Sequence, residues 1–260
     1  MATSMHEEEL LCLLYLVQKR KKRRRARKWC VRPLNKNRVN DGEFNTLVQE
    51  MHAMDEEKYH QYFRMSAVKF DFLARRIGDR IQHSRTHSAL ISVAKRLAVT
   101  LRYLASGCSQ VGVAASYRLG SFTVSTIIPE VCKAIWDTLQ PEFVPFPSQT
   151  QWKEIQNDFW RIWNFPMCLG SNLTTVQQVN NYRHSRARRI IVNTFGIMAS
   201  RWRIFGRPID CSPDNVVHIV KACVALHNYL THTDAVNPGN ISSLSLSLRV
   251  TSDDDEWGFA

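Results

Sequence analysis

Four arginines crowd one short stretch of this sequence, at Arg183, Arg186, Arg188 and Arg189. They fall in the first two turns of a segment, 182–201, that contains no proline and a single glycine. The positive end of a helix dipole disfavours cations in these turns, so stability alone does not explain them. The arrangement favours an anionic partner. The alternative is a solvated charged turn whose arginine stems cover apolar surface.

The same segment predicts the helix that carries these arginines. Its less polar residues recur at intervals of three and four, which is the spacing of one helix face. We expect this face to be buried, and its members are Ile190, Ile191, Thr194, Phe195, Ile197, Met198 and Trp202.

The motifs in and after this helix carry a family resemblance. NYRHSRARR at 181–189, followed by FGIMASRWRIFGRPI at 195–209, resembles the carboxy-terminal catalytic helix of the PIF/Harbinger-type transposase-derived nucleases. The resemblance implies an RNase H-like sheet, a DDE triad of carboxylates that binds Mg²⁺ or Mn²⁺, and cleavage of DNA. In that family the residue before the asparagine of the motif is the third acid of the triad.

This chain departs from the family at that position. Val192 stands there, and a valine has no oxygen to offer a hard cation such as Mg²⁺ or Mn²⁺. We therefore expect no catalytic residue, no bound metal and no other cofactor in this chain, although intact family members use a divalent metal.

A second departure lies upstream of the arginines. NFPMCLGS at 164–171 resembles the opening strand of the family's catalytic domain, which normally leads to the first catalytic aspartate. Here Asn172 to Val176 follow instead, and nine residues separate this strand from the NYR motif. The resemblance therefore implies that the middle of the nuclease domain is missing, through an alternative splice, a gene-model join or a genuine deletion.

The strongest charge run is at the amino terminus, in a basic arm at 1–40. Nine of the ten residues of 19–28, KRKKRRRARK, are Lys or Arg, and net charge over the whole chain is +12. Such a run is typical of a nuclear-import signal or of a phosphate-binding arm that releases counterions from DNA; the alternative is a solvated tail. The DNA-binding residues expected in the arm are Lys19, Arg20, Lys21, Lys22, Arg23, Arg24 and Arg25.

Composition excludes other classes of protein. The apolar run 10–17 is too short to span a bilayer, so no membrane is expected. Seven scattered cysteines without a CxxC pair make a disulfide framework or zinc ribbon unexpected, and they are interpreted as small buried residues. We expect the nucleus, and also the cytoplasm, as the location.

The fold class expected is mainly α, with a helical domain at 41–140 that contains a helix-turn-helix-like unit. Arg118, Ser121, Thr123 and Ser125 would meet DNA at the start of its second helix. Ser121 or Thr123 would cap that helix, and Pro129 would interrupt or kink it. A helical core without DNA contact is the alternative.

Other helix ends follow from turn and cap residues. A helix is expected to begin after Ser66 and to end near Gly78, and another begins at the sequence Ser212-Pro213. A proline-rich linker at 141–147 predicts a boundary before a truncated RNase H-like remnant at 151–230, and a polar, acidic tail follows at 231–260.

Three functions remain open from the sequence. The first is a DNA-binding nuclear protein that has lost its endonuclease site. The second is an active metal-dependent DNA endonuclease, as in intact family members. The third is a protein-interaction or nuclear-import module without DNA contact. Expected partners are DNA, a nuclear import receptor and a family-associated DNA-binding partner protein. A chain that is not stably folded beyond Ser171 is a further possibility.

Overall fold

The computed structural model describes Trp29 and residues 31–81, 91–163, 188–189 and 191–236. Within these ranges the regular secondary structure is helical, and no strand occurs among them. The mainly α fold class is confirmed. The strand expected at 164–171 lies outside the described residues, and the RNase H-like remnant stays a prediction.

Two single helical turns, Pro33–Lys36 and Arg38–Asp41, precede the longer helices. The longer helices are α1 Leu47–Met54, α2 Glu56–Phe63, α3 Ala67–Ile81, α4 Val93–Ser106, α5 Gln110–Ser116, α6 Ser121–Phe143, α7 Gln149–Trp163, α8 at 191–201 and α9 Pro213–Val236. A 3-10 turn, Arg203–Gly206, links α8 to α9.

Local cap chemistry explains several helix starts. Asp55 accepts a hydrogen bond from the Lys58 amide at 2.8 Å at the start of α2, and Ser109 accepts one from the Gly112 amide at 3.1 Å at the start of α5. Both side chains satisfy an amide that has no partner in the first turn of the helix. The predicted starts after Ser66 and at Pro213 are also confirmed.

Two predicted helix ends are wrong. Helix α3 passes through Gly78 and continues to Ile81, because Ile77 and Ile81 are both fully buried and extend its apolar face by another turn. Helix α6 is likewise continuous through Pro129, and Pro141 lies inside it, so the linker begins only at Val144.

Burial explains why the proline does not break α6. Proline inside a helix costs about 3 kcal/mol, whereas each fully buried aliphatic side chain contributes roughly 1.5–3 kcal/mol. The buried side chains of α6 include Val124, Ile127, Ile128, Val131, Ile135 and Leu139. The predicted cap is also wrong: Gly120 precedes the first helical residue, Ser121, and no side chain caps the helix.

Helix α6 lies at the centre of the fold, with α3, α4, α5 and α9 packed around it. Helix α9 makes the most extensive contact with α6 and also reaches α3. The ring of Tyr229 lies between Phe72, stacked at 6.1 Å, and Phe143, edge-on at 5.2 Å. Asn228 Nδ2 donates to the Phe143 carbonyl at 3.0 Å, which satisfies an acceptor at the end of α6.

The described residues before and after 141–150 therefore contribute to one hydrophobic core. Helix α9 also continues to Val236, beyond the start of the tail expected at 231–260. The proposed domain limits stay predictions.

The predicted buried face of α8 is partly wrong. Ile191 and Phe195 are 51% and 57% exposed, whereas Met198 and Trp202 are buried. Only the carboxy-terminal end of this helix reaches the core around α6, so the face is buried there and exposed at its amino-terminal end. Residues 182–187 and the Ile190 side chain lie outside the described part of the chain.

The cysteines follow the expectation in part. Cys132 and Cys223 are buried as unpaired thiols, and burial raises the pKa of both. Cys108 is exposed, which contradicts the expectation for that residue, because it follows Gly107 in the connection after α4. Cys12, Cys30 and Cys168 lie outside the described residues.

Candidate nucleic-acid interface

The predicted helix-turn-helix region consists of α5, four connecting residues at 117–120, and α6. Ser121 is exposed at the start of α6, and Thr123 and Ser125 are half-buried. Ser125 Oγ donates to the Phe122 carbonyl at 2.8 Å, so its proton is used within the helix and only its lone pairs face a partner. Their contact with DNA stays a prediction.

Arg118 has a structural role in this turn. Its Nη1 lies 3.2 Å from Asp41 Oδ2 and donates to the Leu34 carbonyl at 3.3 Å. These contacts attach the short turns at 33–41 to the connection between α5 and α6. The guanidinium that the sequence assigns to DNA is therefore engaged by the protein itself, and its DNA contact stays a prediction.

The other predicted residues are spread over the chain. Arg188 and Arg189 are exposed on helical residues at the start of the α8 region, and Val192 is 55% exposed one turn further on. The predicted residues outside the described ranges are Lys19, Arg20, Lys21, Lys22, Arg23, Arg24, Arg25, Arg183 and Arg186. Among the described members of the set, no hydrogen bond or ion pair joins one to another.

The structure assembles a different set of cations, which we name the arginine cluster: Arg64, Arg102, Arg201 and Arg203. Arg64 ends α2, Arg102 lies in α4, and the other two belong to the SRWR sequence at 200–203. Burial lowers the pKa of Arg64, and the nearby charges of Arg203 and Arg102 lower it further. The cluster therefore brings like charges together from elements far apart in sequence.

One carboxylate pairs with this region. Asp234 of α9 forms ion pairs with Lys69 of α3 and with Arg201, whose Nη2 lies 3.7 Å from Asp234 Oδ2. Burial lowers the pKa of the neighbouring His60, and the charge on Arg201 lowers it further. His60 is therefore held neutral near pH 7, and the region keeps an excess of positive charge.

Two guanidinium nitrogens in the cluster are buried without an acceptor. Arg64 Nε and Arg201 Nη1 have no hydrogen-bond partner among the described residues. Leaving a buried donor unpaired costs about 1–3 kcal/mol, and more for a charged group. The Arg102 guanidinium lies 3.9 Å from the centre of the Tyr62 ring, in a cation–π contact.

The backbone at Arg64 is also unfavourable for an arginine. Its φ of 61° and ψ of 22° are left-handed, and its amide donates to the His60 carbonyl at 2.7 Å as α2 ends. Glycine is the usual residue there, since a side chain in this conformation costs roughly 1–2 kcal/mol. Within the described ranges, Arg64 and Arg118 are the non-glycine residues with positive φ.

Only two members of the arginine cluster could be recognised from the sequence. Arg201 and Arg203 belong to the SRWR motif on which the family resemblance rests, but nothing local marks Arg64 or Arg102, which join the cluster only through tertiary packing.

The described residues around Val192 do not fit a divalent metal. The described residues within one helical turn of Val192 carry no carboxylate, and their side-chain oxygens are those of Asn193 and Thr194, whereas proteins hold Mg²⁺ and Mn²⁺ chiefly through carboxylates. No group of three or more His, Cys, Asp or Glu side chains suited to a metal occurs in the described part of the chain. No helix there is long and apolar enough to cross a membrane.

Comparison with known proteins supports the resemblance seen in the sequence. Residues 155–228 match the family described as DDE superfamily endonuclease. This match confirms that part of the chain is similar to the DDE-type, transposase-derived nucleases. Endonucleases of this superfamily generally use divalent metal ions.

The similarity to a curated protein is more extended. The chain is 31% identical over 124 residues to the Arabidopsis thaliana protein named Antagonist of Like Heterochromatin Protein 1. The match covers 45% of this chain and 31% of that protein, so the chain spans less than a third of the relative's length within the match. No solved structure is significantly similar to this chain.

Proposed function

We propose that this protein binds DNA in the nucleus and has lost the metal-dependent endonuclease activity of its family. The observation that carries the proposal is Val192, which occupies the third acidic position of the family motif and lies 55% exposed on α8. A carboxylate at this position would bind one of the metal ions that activate water and stabilise the leaving oxygen. Valine has no oxygen atom with which to bind that metal ion.

DNA binding is supported by charge. The chain carries a net charge of +12, and the first forty residues hold twelve Lys or Arg against three Glu, or +9. Cations at this density bind the DNA backbone without reading sequence, through release of counterions. The same run at 19–28 supports nuclear import. The helix-turn-helix region offers a second surface, at Ser121, Thr123 and Ser125.

The test compares the full-length chain with a full-length variant in which the nine Lys and Arg residues of 19–28 are replaced by Gln. Binding to a short duplex is measured by fluorescence anisotropy over about 50–200 mM salt, and cleavage is followed in the same samples with Mg²⁺ or Mn²⁺. We expect salt-sensitive binding by both proteins, weaker in the variant, and no cleavage by either.

Two results would contradict the proposal. Cleavage that requires metal and follows the protein through purification would mean that other carboxylates form an active site. Absence of binding by the wild-type chain would favour the protein-interaction module without DNA contact.

A further inference from the structure

We propose that the arginine cluster binds a phosphodiester group of duplex DNA. The proposal rests on the proposed function, and it adds a binding site that lies outside both the basic arm and the helix-turn-helix region. The site is formed by the end of α2, the middle of α4 and the SRWR segment, so it exists only when the carboxy-terminal part of the chain packs on the helical core.

The first argument is the unbalanced charge. Four guanidinium groups and the Lys69 ammonium group share this region with Asp234, which already pairs with Lys69 and Arg201. Within the described part of the chain, no carboxylate forms an ion pair with Arg64, Arg102 or Arg203. Glu43 is a second carboxylate near Tyr62 and Arg102, and two carboxylates do not balance the five cations of this region. Like charges at close range repel, and an anion between them removes the repulsion.

The second argument is the supply of donors. Arg64 Nε and Arg201 Nη1 are buried with no acceptor in the described residues. Arg102 lies over the Tyr62 ring at 3.9 Å and adds a planar guanidinium group with five N–H donors. A phosphodiester has two unesterified oxygens, which accept several hydrogen bonds from planar guanidinium forks.

The third argument is access. Arg203 is exposed, and Arg64 and Arg102 are half-buried, so the cluster opens to solvent on the side of the 3-10 turn. A DNA backbone can therefore reach Arg203 and the exposed parts of Arg64 and Arg102 from the surface, and Arg201 is half-buried beside Asp234.

The fourth argument is the backbone of Arg64. A left-handed conformation at a helix end suits glycine, yet a large charged side chain occupies it and is partly desolvated beside other cations. This arrangement disfavours the fold, and phosphate binding by the side chain accounts for it.

The conformation also makes Arg64→Gly a clean test. The substitution removes the charge and relieves the backbone, so a loss of DNA binding with an unchanged or higher melting temperature is not due to unfolding. We compare the full-length wild type with R64G, R203Q and the double variant R64G/R203Q. The matched control is R80Q, which removes one exposed arginine of α3 that forms no part of the cluster. Each substitution is also placed in the full-length chain with the neutralised 19–28 run, so that the arm does not mask the cluster.

We expect the double variant to bind duplex DNA about tenfold more weakly, and the slope of log affinity against log salt to fall by about one, the value for one phosphate contact. R80Q should change little, and R64G should melt at or above the wild-type temperature. If the wild type binds duplex DNA and R64G/R203Q binds it as tightly as R80Q does, this inference is overturned while the proposed function stands. A wild-type chain that binds no DNA would overturn both.

Discussion

Gly107 and Arg203 meet backbone to backbone. A Cβ built on Gly107 would lie 2.6 Å from the Arg203 carbonyl oxygen and 2.9 Å from its carbon, and Gly107 itself has φ +61°. The end of α4 is thus fitted against the SRWR segment at a point where no side chain can be accommodated. This contact places Arg203 beside the elements that carry Arg64 and Arg102.

Replacing Gly107 by alanine should therefore destabilise the protein. Left-handed strain alone costs about 1–3 kcal/mol and the overlap with Arg203 adds to it, so we expect the free energy of unfolding to fall by at least about 2 kcal/mol. Urea denaturation followed by far-UV circular dichroism measures the change. The matched control is Gly78→Ala, inside α3 with no atom within 4 Å of the new Cβ. It should gain roughly 0.5–1 kcal/mol. If the two substitutions change the free energy of unfolding equally, the close contact between Gly107 and Arg203 is contradicted.

Trp202 is fully buried where the SRWR segment meets the core. Its replacement by alanine should lower the free energy of unfolding by about 3–5 kcal/mol, since the vacated volume is large and cannot be refilled. Phe122 is 85% exposed and provides the control, because F122A should change stability by no more than about 0.5 kcal/mol. Differential scanning calorimetry should show one transition that W202A moves as a whole. A second, unshifted transition would mean that the helical core folds without the carboxy-terminal segment.

His227 should make stability depend on pH. Burial, and then the charge on Arg201, lowers its pKa in the folded protein below the ordinary value of about 6.5. Between these two values the unfolded chain binds a proton that the folded chain does not, so stability falls as the pH drops below about 6.5. His60 acts in the same direction.

We expect the melting temperature of His227→Leu to decline less than that of the wild type between about pH 7.5 and pH 5.5. The internal control is the difference between the two proteins at the upper pH, where the histidine is neutral in both states. Parallel declines would show that protonation of His227 is not linked to unfolding.

Restoring an acid at the family position should not restore cleavage. In Val192→Glu the new carboxylate would lie on an exposed helix face without the other two acids of the triad. We expect no nicking of plasmid DNA with Mg²⁺ or Mn²⁺. Stability should stay the same or rise by a few tenths of a kcal/mol, because glutamate is the better helix former. If V192E nicks DNA in a metal-dependent way and the wild type does not, this chain must contain the other metal ligands.

The sequence predicts the helix starts well at two places where a cap residue or a proline marks them. Ser66 and the Ser212-Pro213 pair act locally, because they satisfy or remove unpaired backbone amides within the first turn. The expected interruption at Pro129 and the expected helix end near Gly78 are wrong, because burial against other helices outweighs the local preference. Periodicity likewise predicted a buried face along α8, but it cannot say which turns of that face reach a partner.

The arginine cluster was not predictable for the same reason. Arg64 and Arg203 are far apart in the chain, and they become neighbours only because α8 and α9 return to the first helices. The sequence pointed instead to the densest local runs of charge, at 19–28 and 183–189. The density of charge along the sequence does not show which charged side chains are close together in the folded protein.

The packing of α9 along α6 also determines what happens when the chain is cut. The connection at 144–148 is non-helical, and it lies between segments that share one core. A protease cut there would leave two fragments held together by Tyr229, Phe72 and Phe143 and by the Asn228 hydrogen bond to the end of α6. The nicked protein would elute as a single particle in size-exclusion chromatography, and its halves would separate only in denaturant. The two halves are thus suited to reconstitution from separately produced fragments.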